Sequence, residues 1–382
     1  MFVWQGSSLY QLTSLMEREL PDGVIVSEIL TRVSLAALLR QFQWVCRDWH
    51  NCIHDSKFQL IHSQKTPVVA SGFFVLVERS IENISDSNIF FPFNNDPSNP
   101  SNKNPSPSLD FLPSPVAIAG SSPFGSLLCC VTLDKLQTGK SIPMFYIRKP
   151  ATREWRKIPN PKTRFPDVGM RIVVMQTYPT LQYKIVRISA TSDVIKYCCE
   201  LFDSVTWAWK RLPNLKSLSG LVDRFGAVLI NGCLHWMNNR RQTHVFSIEQ
   251  EKWNAIIHLP PDIVESELDI RYLLILVDGK IGVLISNREW TEVWVLENYY
   301  IHTSWKRKFR KDLRAISCEV GGVCLPLAMS STGIIFMLCR CPNRRCCAIT
   351  YNTNDDAYTS VPFPSDARSF LGFPFESSFC YI

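Results

Sequence analysis

The 382-residue chain contains no run of about 18 apolar residues, and its opening MFVWQGSSLYQL lacks the basic start and apolar core of a secretory signal. Neither a membrane-spanning helix nor export is readable from it, so the expected location is intracellular, in cytoplasm, nucleus or both. Catalytic signatures are missing too. No G-x-S-x-G, H-E-x-x-H or G-x-x-x-x-G-K occurs, and no G-x-G-x-x-G follows a strand-like run. Histidine is scarce, with seven scattered residues; His235 beside Trp236 reads as a structural histidine on a hairpin strand. These absences predict a non-enzymatic protein without a cofactor.

Cysteine is plentiful at fourteen, but without export or a regular framework the thiols read as small reduced hydrophobes. Cys339, Cys341, Cys346 and Cys347 cluster around Pro342-Asn343-Arg344-Arg345, a turn between two strand-like runs. Alternation along those strands divides the thiols between two faces, so no metal site is expected. Broad basic character is also lacking. Of the net charge of +7, a local +5 belongs to Lys306, Arg307, Lys308, Arg310, Lys311 and Arg314 against Asp312, leaving +2 elsewhere, which gives no nucleic-acid footprint. Lys306, Arg307, Lys308 and Arg310 are candidate target-binding residues; the competing reading is a charged strand edge that keeps sheets from aggregating.

What the chain does have is first a helical stretch, Glu19 to Phe58. Ile25 and Ile29, then Val26, Leu30 and Val33, recur at helical steps behind Pro21. Ser34 can cap a second helix bearing Leu35, Leu38, Leu39 and Phe42, and Val45, Cys46, Trp49 and Ile53 suggest a third. Three helices this short expose more apolar surface than they can hide among themselves. Leu20-Pro21, Glu28-Ile29-Leu30, Leu38-Leu39, Val45-Cys46-Arg47, Trp49, Ile53 and Phe58 resemble, in order and spacing, the F-box motif. That resemblance implies binding to a Skp-type adaptor of cullin-RING ubiquitin ligases, through Leu20, Pro21, Ile25, Ile29, Leu30, Leu38, Leu39, Val45, Cys46 and Trp49 as contacts or their support. Gln41 and Gln43 depart from the commoner basic or small residues of the family, and Gly23 weakens the first helix by about 1 kcal/mol.

Beyond Pro67 the pattern becomes strands and turns, beginning with the Val and Phe run at Val68–Val77. Residues 94–110, nearly pure Asn, Pro and Ser, read as a flexible surface loop. A repeat then dominates. Apolar strands run through a polar turn into a second strand opened by Trp155, Trp209, Trp253, Trp305 or Tyr358, spaced by 54, 44, 52 and 53 residues. Hairpins at Asn231-Gly232, Asp278-Gly279 and Gly333 recur in phase, and a period near fifty is that of propeller blades. The run Pro150 to Pro159 resembles the F-box-associated, kelch-related domain of plant F-box proteins.

The expected architecture is therefore α+β and multidomain: a tail at 1–18, a three-helix F-box module at 19–65, and an all-β propeller of about six blades at 66–382. The resemblance implies a substrate-recognition subunit of an SCF-type ubiquitin ligase, with a Skp-type adaptor, its cullin-RING ligase and a target protein as partners. A propeller scaffold or carbohydrate-binding module without that role is the alternative.

Overall fold

The computed structural model describes residues 24–33, 35–65, 71–78, 87–92, 116–122, 127–135, 141–150, 154–165, 167–176, 180–191, 197–213, 227–238, 240–259, 270–299, 304–340, 346–363 and 369–376. The sequence expectations for Leu20, Pro21, Ser34 and the 94–110 loop fall outside this set.

The helical module differs from the three helices expected. Its first segment is a π-turn at Ile25–Ile29, where Leu30 N–H donates to Ile25 O, continuing into a 3-10 turn at Leu30–Arg32. The cause is local: β-branched Ile25, Val26, Ile29 and Thr31 crowd a regular α-helix, and the Thr31 hydroxyl donates to Ser27 O (2.6 Å). Helix α1 (Leu35–Arg40) follows, then a 3-10 turn at Phe42–Trp44, then α2 (Arg47–Ile53) and an additional helix, α3 (Ser56–Lys65). Both later starts are capped. Cys46 Sγ accepts from Trp49 N (3.4 Å), and Asp55 Oδ1 accepts from Lys57 N (2.9 Å) and Phe58 N (3.1 Å). Leu30, Leu38, Ile53 and Phe58 form the buried centre, flanked by Ile25, Val26, Val33, Leu39, Phe42, Trp49 and Cys52; among the described residues every member of this cluster comes from the module itself.

Among the described residues the remaining elements are strands, apart from one short helix. β1 (Ser71–Glu78) and β2 (Ser87–Pro92) pair antiparallel. β3 (Ala117–Ser121), β4 (Leu128–Lys135), β5 (Ser141–Lys149) and β6 (Glu154–Ile158) form one meander, and β7 (Asp167–Gln176), β8 (Gln182–Ala190), β9 (Tyr197–Asp203) and β10 (Ala208–Arg211) a second. β11 (Val228–Ile230), β12 (Cys233–Met237), β13 (Gln242–Ser247) and β14 (Lys252–His258) make a third. β15 (Arg271–Val277), β16 (Lys280–Ser286), β17 (Trp290–Asn298) and β18 (Ser304–Asp312) make a fourth. Helix α4 (Arg314–Val320) leads into β19 (Val323–Met329), β20 (Ile334–Arg340), β21 (Cys346–Asn352) and β22 (Ala357–Phe363). The last strand, β23 (Ser369–Glu376), returns to pair with β1, placing Phe74 opposite Phe373.

This is a propeller-like arrangement, but the expectation of about six separate blades is corrected. Among the described residues, four sheets have four or more strands and a fifth has three. The reason is a single parallel bridge, Ser121↔Arg171, which joins β3 to β7 and merges two meanders into one eight-stranded sheet. Arg171 reinforces the seam by donating from Nη1 to Ser121 Oγ (2.6 Å).

Each sheet packs on the next. One apolar cluster joins Val186 and Leu201 to Leu234 and Phe246, a second joins Val245 and Ile257 to Leu274 and Val283, and a third joins Ile275 and Val295 to Met337 and Ile349. The two faces of β15, the first strand of its sheet, meet different neighbours, which explains the unbroken apolar run at Leu273–Val277: Leu274 enters one cluster while Ile275 and Val277 enter another. The hairpins at Asn231-Gly232 and Asp278-Gly279 have φ of 49° and 69°, and of 49° and 72°, the positive values those residue types tolerate. The recurrent aromatics Trp155, Trp209, Trp253, Trp305 and Tyr358 all lie on the fourth strand of their meander.

Candidate functional site

In the helical module the residues expected to bind a partner divide by burial. Leu30 and Leu38 are fully buried and act as internal support, while Ile25, Leu39 and Trp49 are half-buried against them. Ile29 (42% exposed), Val45 (61%) and Cys46 face solvent. Two outward residues were not anticipated, Val24 and Trp44, the latter 73% exposed. Trp44 closes the 3-10 turn with its ring 6.3 Å from that of His50, and Phe42 of the same turn stacks on Trp49 at 5.8 Å. No helical period passes through that turn, so periodicity alone gave no signal for it. Four of the nine exposed large apolar side chains among the described residues fall within the short stretch Val24–Val45, which concentrates them there.

Polar contacts brace this surface. Glu28 accepts from Lys65 and Arg32, each at 3.2 Å, and its carboxyl is held below the usual range, Lys65 first among the causes. His62 Nε2 lies 2.7 Å from Val33 O and is buried; that burial lowers its pKa. His50 and His54 rings lie 4.6 Å apart, with Gln43 Oε1 at 3.1 Å from His54 Nε2.

The basic run, Arg314 apart, occupies β18, the outermost strand of its sheet. Arg307 (3.2 Å) and Arg310 (2.9 Å) share Glu292 Oε1, while Trp294 Nε1 donates to Oε2 of the same carboxylate (2.8 Å). Lys308 pairs with Asp278, and Lys311 with Asp356 (2.5 Å). Acids from neighbouring strands and turns therefore offset charge that looks uncompensated along the sequence. Lys306 stands on the same strand, opposite Val295.

Other candidate groups occupy structural positions. His235 is fully buried; its Nδ1 donates to Val228 O (3.2 Å) and its Nε2 accepts from Tyr299 OH (2.7 Å). Burial depresses its pKa to about 4. Asp355 accepts from Ala357 N (3.1 Å) within the β21–β22 turn. Cys324, Cys339 and Cys347 stand opposite one another on β19, β20 and β21, and Cys341 lies outside the described residues. Among the described residues no three His, Cys, Asp or Glu side chains come together as a metal site, and no helix is long and apolar enough to cross a membrane.

No protein-family model matches the chain. One F-box protein of Arabidopsis thaliana is 27% identical over 321 residues, spanning 79% of this chain and 82% of the relative. A second F-box protein of the same plant is 41% identical over 86 residues, covering 22% of this chain and 44% of that protein. Among solved structures, TolB from Acinetobacter baumannii aligns at 11% identity with a TM-score of 0.43, covering 79% of this chain and 66% of that one. The β-propeller domain of the Trilobed protease from Pyrococcus furiosus aligns at 12% identity with a TM-score of 0.36, covering 64% and 70%. Likenesses this low leave the fold to the strand pairing itself. On sequence, across about four-fifths of its length, the chain is a homologue of plant F-box proteins.

Proposed function

We propose that the protein is the substrate-recognition subunit of an SCF-type cullin-RING ubiquitin ligase. The helical module (19–65) docks on a Skp-type adaptor, and the sheets (66–382) hold a target protein. The subunit performs no chemistry of its own. It raises the effective concentration of a target lysine at a thioester carried by another subunit, so its contribution is proximity. It works inside the cell, in cytoplasm or nucleus.

The observation that carries this reading is the module's packing. Among the described residues its apolar cluster is filled from within, yet Ile29, Trp44 and Val45 remain outward. Large apolar groups held at the surface by a self-sufficient core fit a partner that is another chain. We assign Ile29, Val45 and Cys46 to direct adaptor contact, with Trp44 beside them in sequence. Leu30 and Leu38 support that surface, Ile25, Leu39 and Trp49 line its base, and Leu20 and Pro21 complete it as the family resemblance implies. Lys306, Arg307, Lys308 and Arg310 on β18 are assigned to the target.

The test is co-purification of the full chain with a Skp-type adaptor. A stable complex, lost on Ile29→Asp with Val45→Asp and on Leu20→Ala with Pro21→Ala, supports the assignment. Failure to bind any adaptor would sink it.

A further inference from the structure

Along β17 the alternation of the strand places Trp290, Glu292 and Trp294 on one face, while Val293 and Val295 enter an apolar cluster on the other. Its partner β18 does not alternate so simply. The pairing shifts register between Phe309, opposite Val293, and Arg307, opposite Trp294, which leaves Lys308 as the extra residue of a β-bulge. Arg307 and Arg310 are three positions apart and would point to opposite faces of a regular strand; the bulge brings both to Glu292.

The result is a ladder of Trp290, Arg310, Glu292, Arg307 and Trp294. The guanidinium carbon of Arg310 lies 5.3 Å from the centre of the Trp290 ring and that of Arg307 5.8 Å from the centre of Trp294, within the range of cation–π attraction. Glu292 is buried and accepts from both arginines on one oxygen, Oε1, while Trp294 Nε1 donates to Oε2 (2.8 Å). Two cations on one anion leave one positive charge in surplus. The arginine side chains are 48% and 54% exposed, so both stay open to a ligand. Among the described residues β17 is the one strand paired with β18, and no strand covers its outer edge. The tryptophans and the shared carboxylate hold the guanidinium groups in place before a ligand arrives, which lowers the ordering cost of binding. Two fixed planar forks side by side match a carboxylate, whose oxygens accept parallel N–H bonds.

We infer that Arg307 and Arg310 form a clamp for an acidic segment of the target, in which a glutamate or aspartate carboxylate bridges both guanidinium groups on the side away from Glu292. Glu292, Trp290 and Trp294 are the positioning residues of the clamp. The inference deepens the assignment of β18 to the target and rests on it.

The experiment titrates the full-length protein into fluorescein-labelled hexaglutamate and hexaglutamine peptides by fluorescence anisotropy, with thermal melting of every variant in parallel. Hexaglutamate is expected to bind roughly tenfold tighter than hexaglutamine, the factor gained when a hydrogen bond becomes charge-assisted. Arg307→Gln with Arg310→Gln should bring hexaglutamate down to the level of hexaglutamine. Arg307→Lys with Arg310→Lys keeps the charge and removes the planar forks, and should weaken hexaglutamate about tenfold. Equal binding of the two peptides by the wild type overturns the clamp. So does undiminished hexaglutamate binding by the lysine variant, which keeps Glu292 paired and decides the matter even if the glutamine variant does not fold. The assignment of β18 is read separately, by target capture with Lys306→Glu and Lys308→Glu: capture that falls while hexaglutamate fails to bind the wild type refutes the clamp alone.

Discussion

Arg187 and Glu200 form an ion pair of 2.5 Å in which the two side chains are 3% and 0% exposed. The same carboxylate accepts from Thr163 N (3.0 Å) and Thr163 Oγ1 (2.7 Å), and the guanidinium donates to Phe165 O (2.6 Å) and to Asp167. The cluster clamps the chain between β6 and β7 onto β8 and β9. Breaking one partner of a buried pair costs about 3–5 kcal/mol because the other charge is left buried. Glu200→Gln should therefore lower unfolding free energy by about 3 kcal/mol in urea titration, whereas Thr163→Ala should cost about 1 kcal/mol.

The module offers a clean separation of binding from folding. Ile29→Asp, at an outward position, should leave stability within about 0.5 kcal/mol and abolish adaptor binding. Leu30→Ala, one residue away but fully buried, should destabilise by about 2–5 kcal/mol and lose helical signal on circular dichroism. If both variants bound the adaptor like wild type, the docking surface would lie elsewhere.

On β18, Lys306→Glu together with Lys308→Glu should change stability little. The pair that Lys308 makes with Asp278 is solvent-exposed, and such pairs contribute about 0–1 kcal/mol. Target capture in cells with the proteasome inhibited is expected to fall. Unchanged capture would assign the strand to edge protection alone.

His235 should make stability pH-dependent. Its pKa is about 4 in the folded chain and about 6.5 in an unfolded one, so the folded state resists protonation. The contribution is complete above about pH 6.5 and is lost progressively as pH falls toward 4, amounting to about 3 kcal/mol at most. Unfolding curves at pH 7, 6, 5 and 4 should show this slope, and His235→Gln should flatten it.

Much of the strand architecture was legible because its determinants are local or repeated. The Asn231-Gly232 and Asp278-Gly279 hairpins announce themselves in two residues each. The periodic tryptophans are visible because two of them do one job: Trp209 Nε1 donates to Pro159 O (2.7 Å) and Trp305 Nε1 to His258 O (3.1 Å), each tying an outer strand to the end of the preceding one. What stayed hidden depends on partners far apart in sequence. The bridge between Ser121 and Arg171 that reduces the sheet count has no local signature, nor has the pairing of Arg187 with Glu200. In the module, the pattern of apolar positions was readable, but the π-turn was not. Periodicity reports which residues face inward and is silent about a shift of one hydrogen-bond register.

The pairing of β1 with β23 bears on how the chain is made. Phe73, Phe74 and Val75 leave the ribosome roughly 290 residues before Ser369, the first residue of the strand that pairs beside them. At about 5–20 residues per second that interval is roughly 15–60 s, during which an aromatic strand edge waits without its final neighbour. Nascent chains truncated before β23 should therefore recruit holdase chaperones, and release should coincide with synthesis of the last strand.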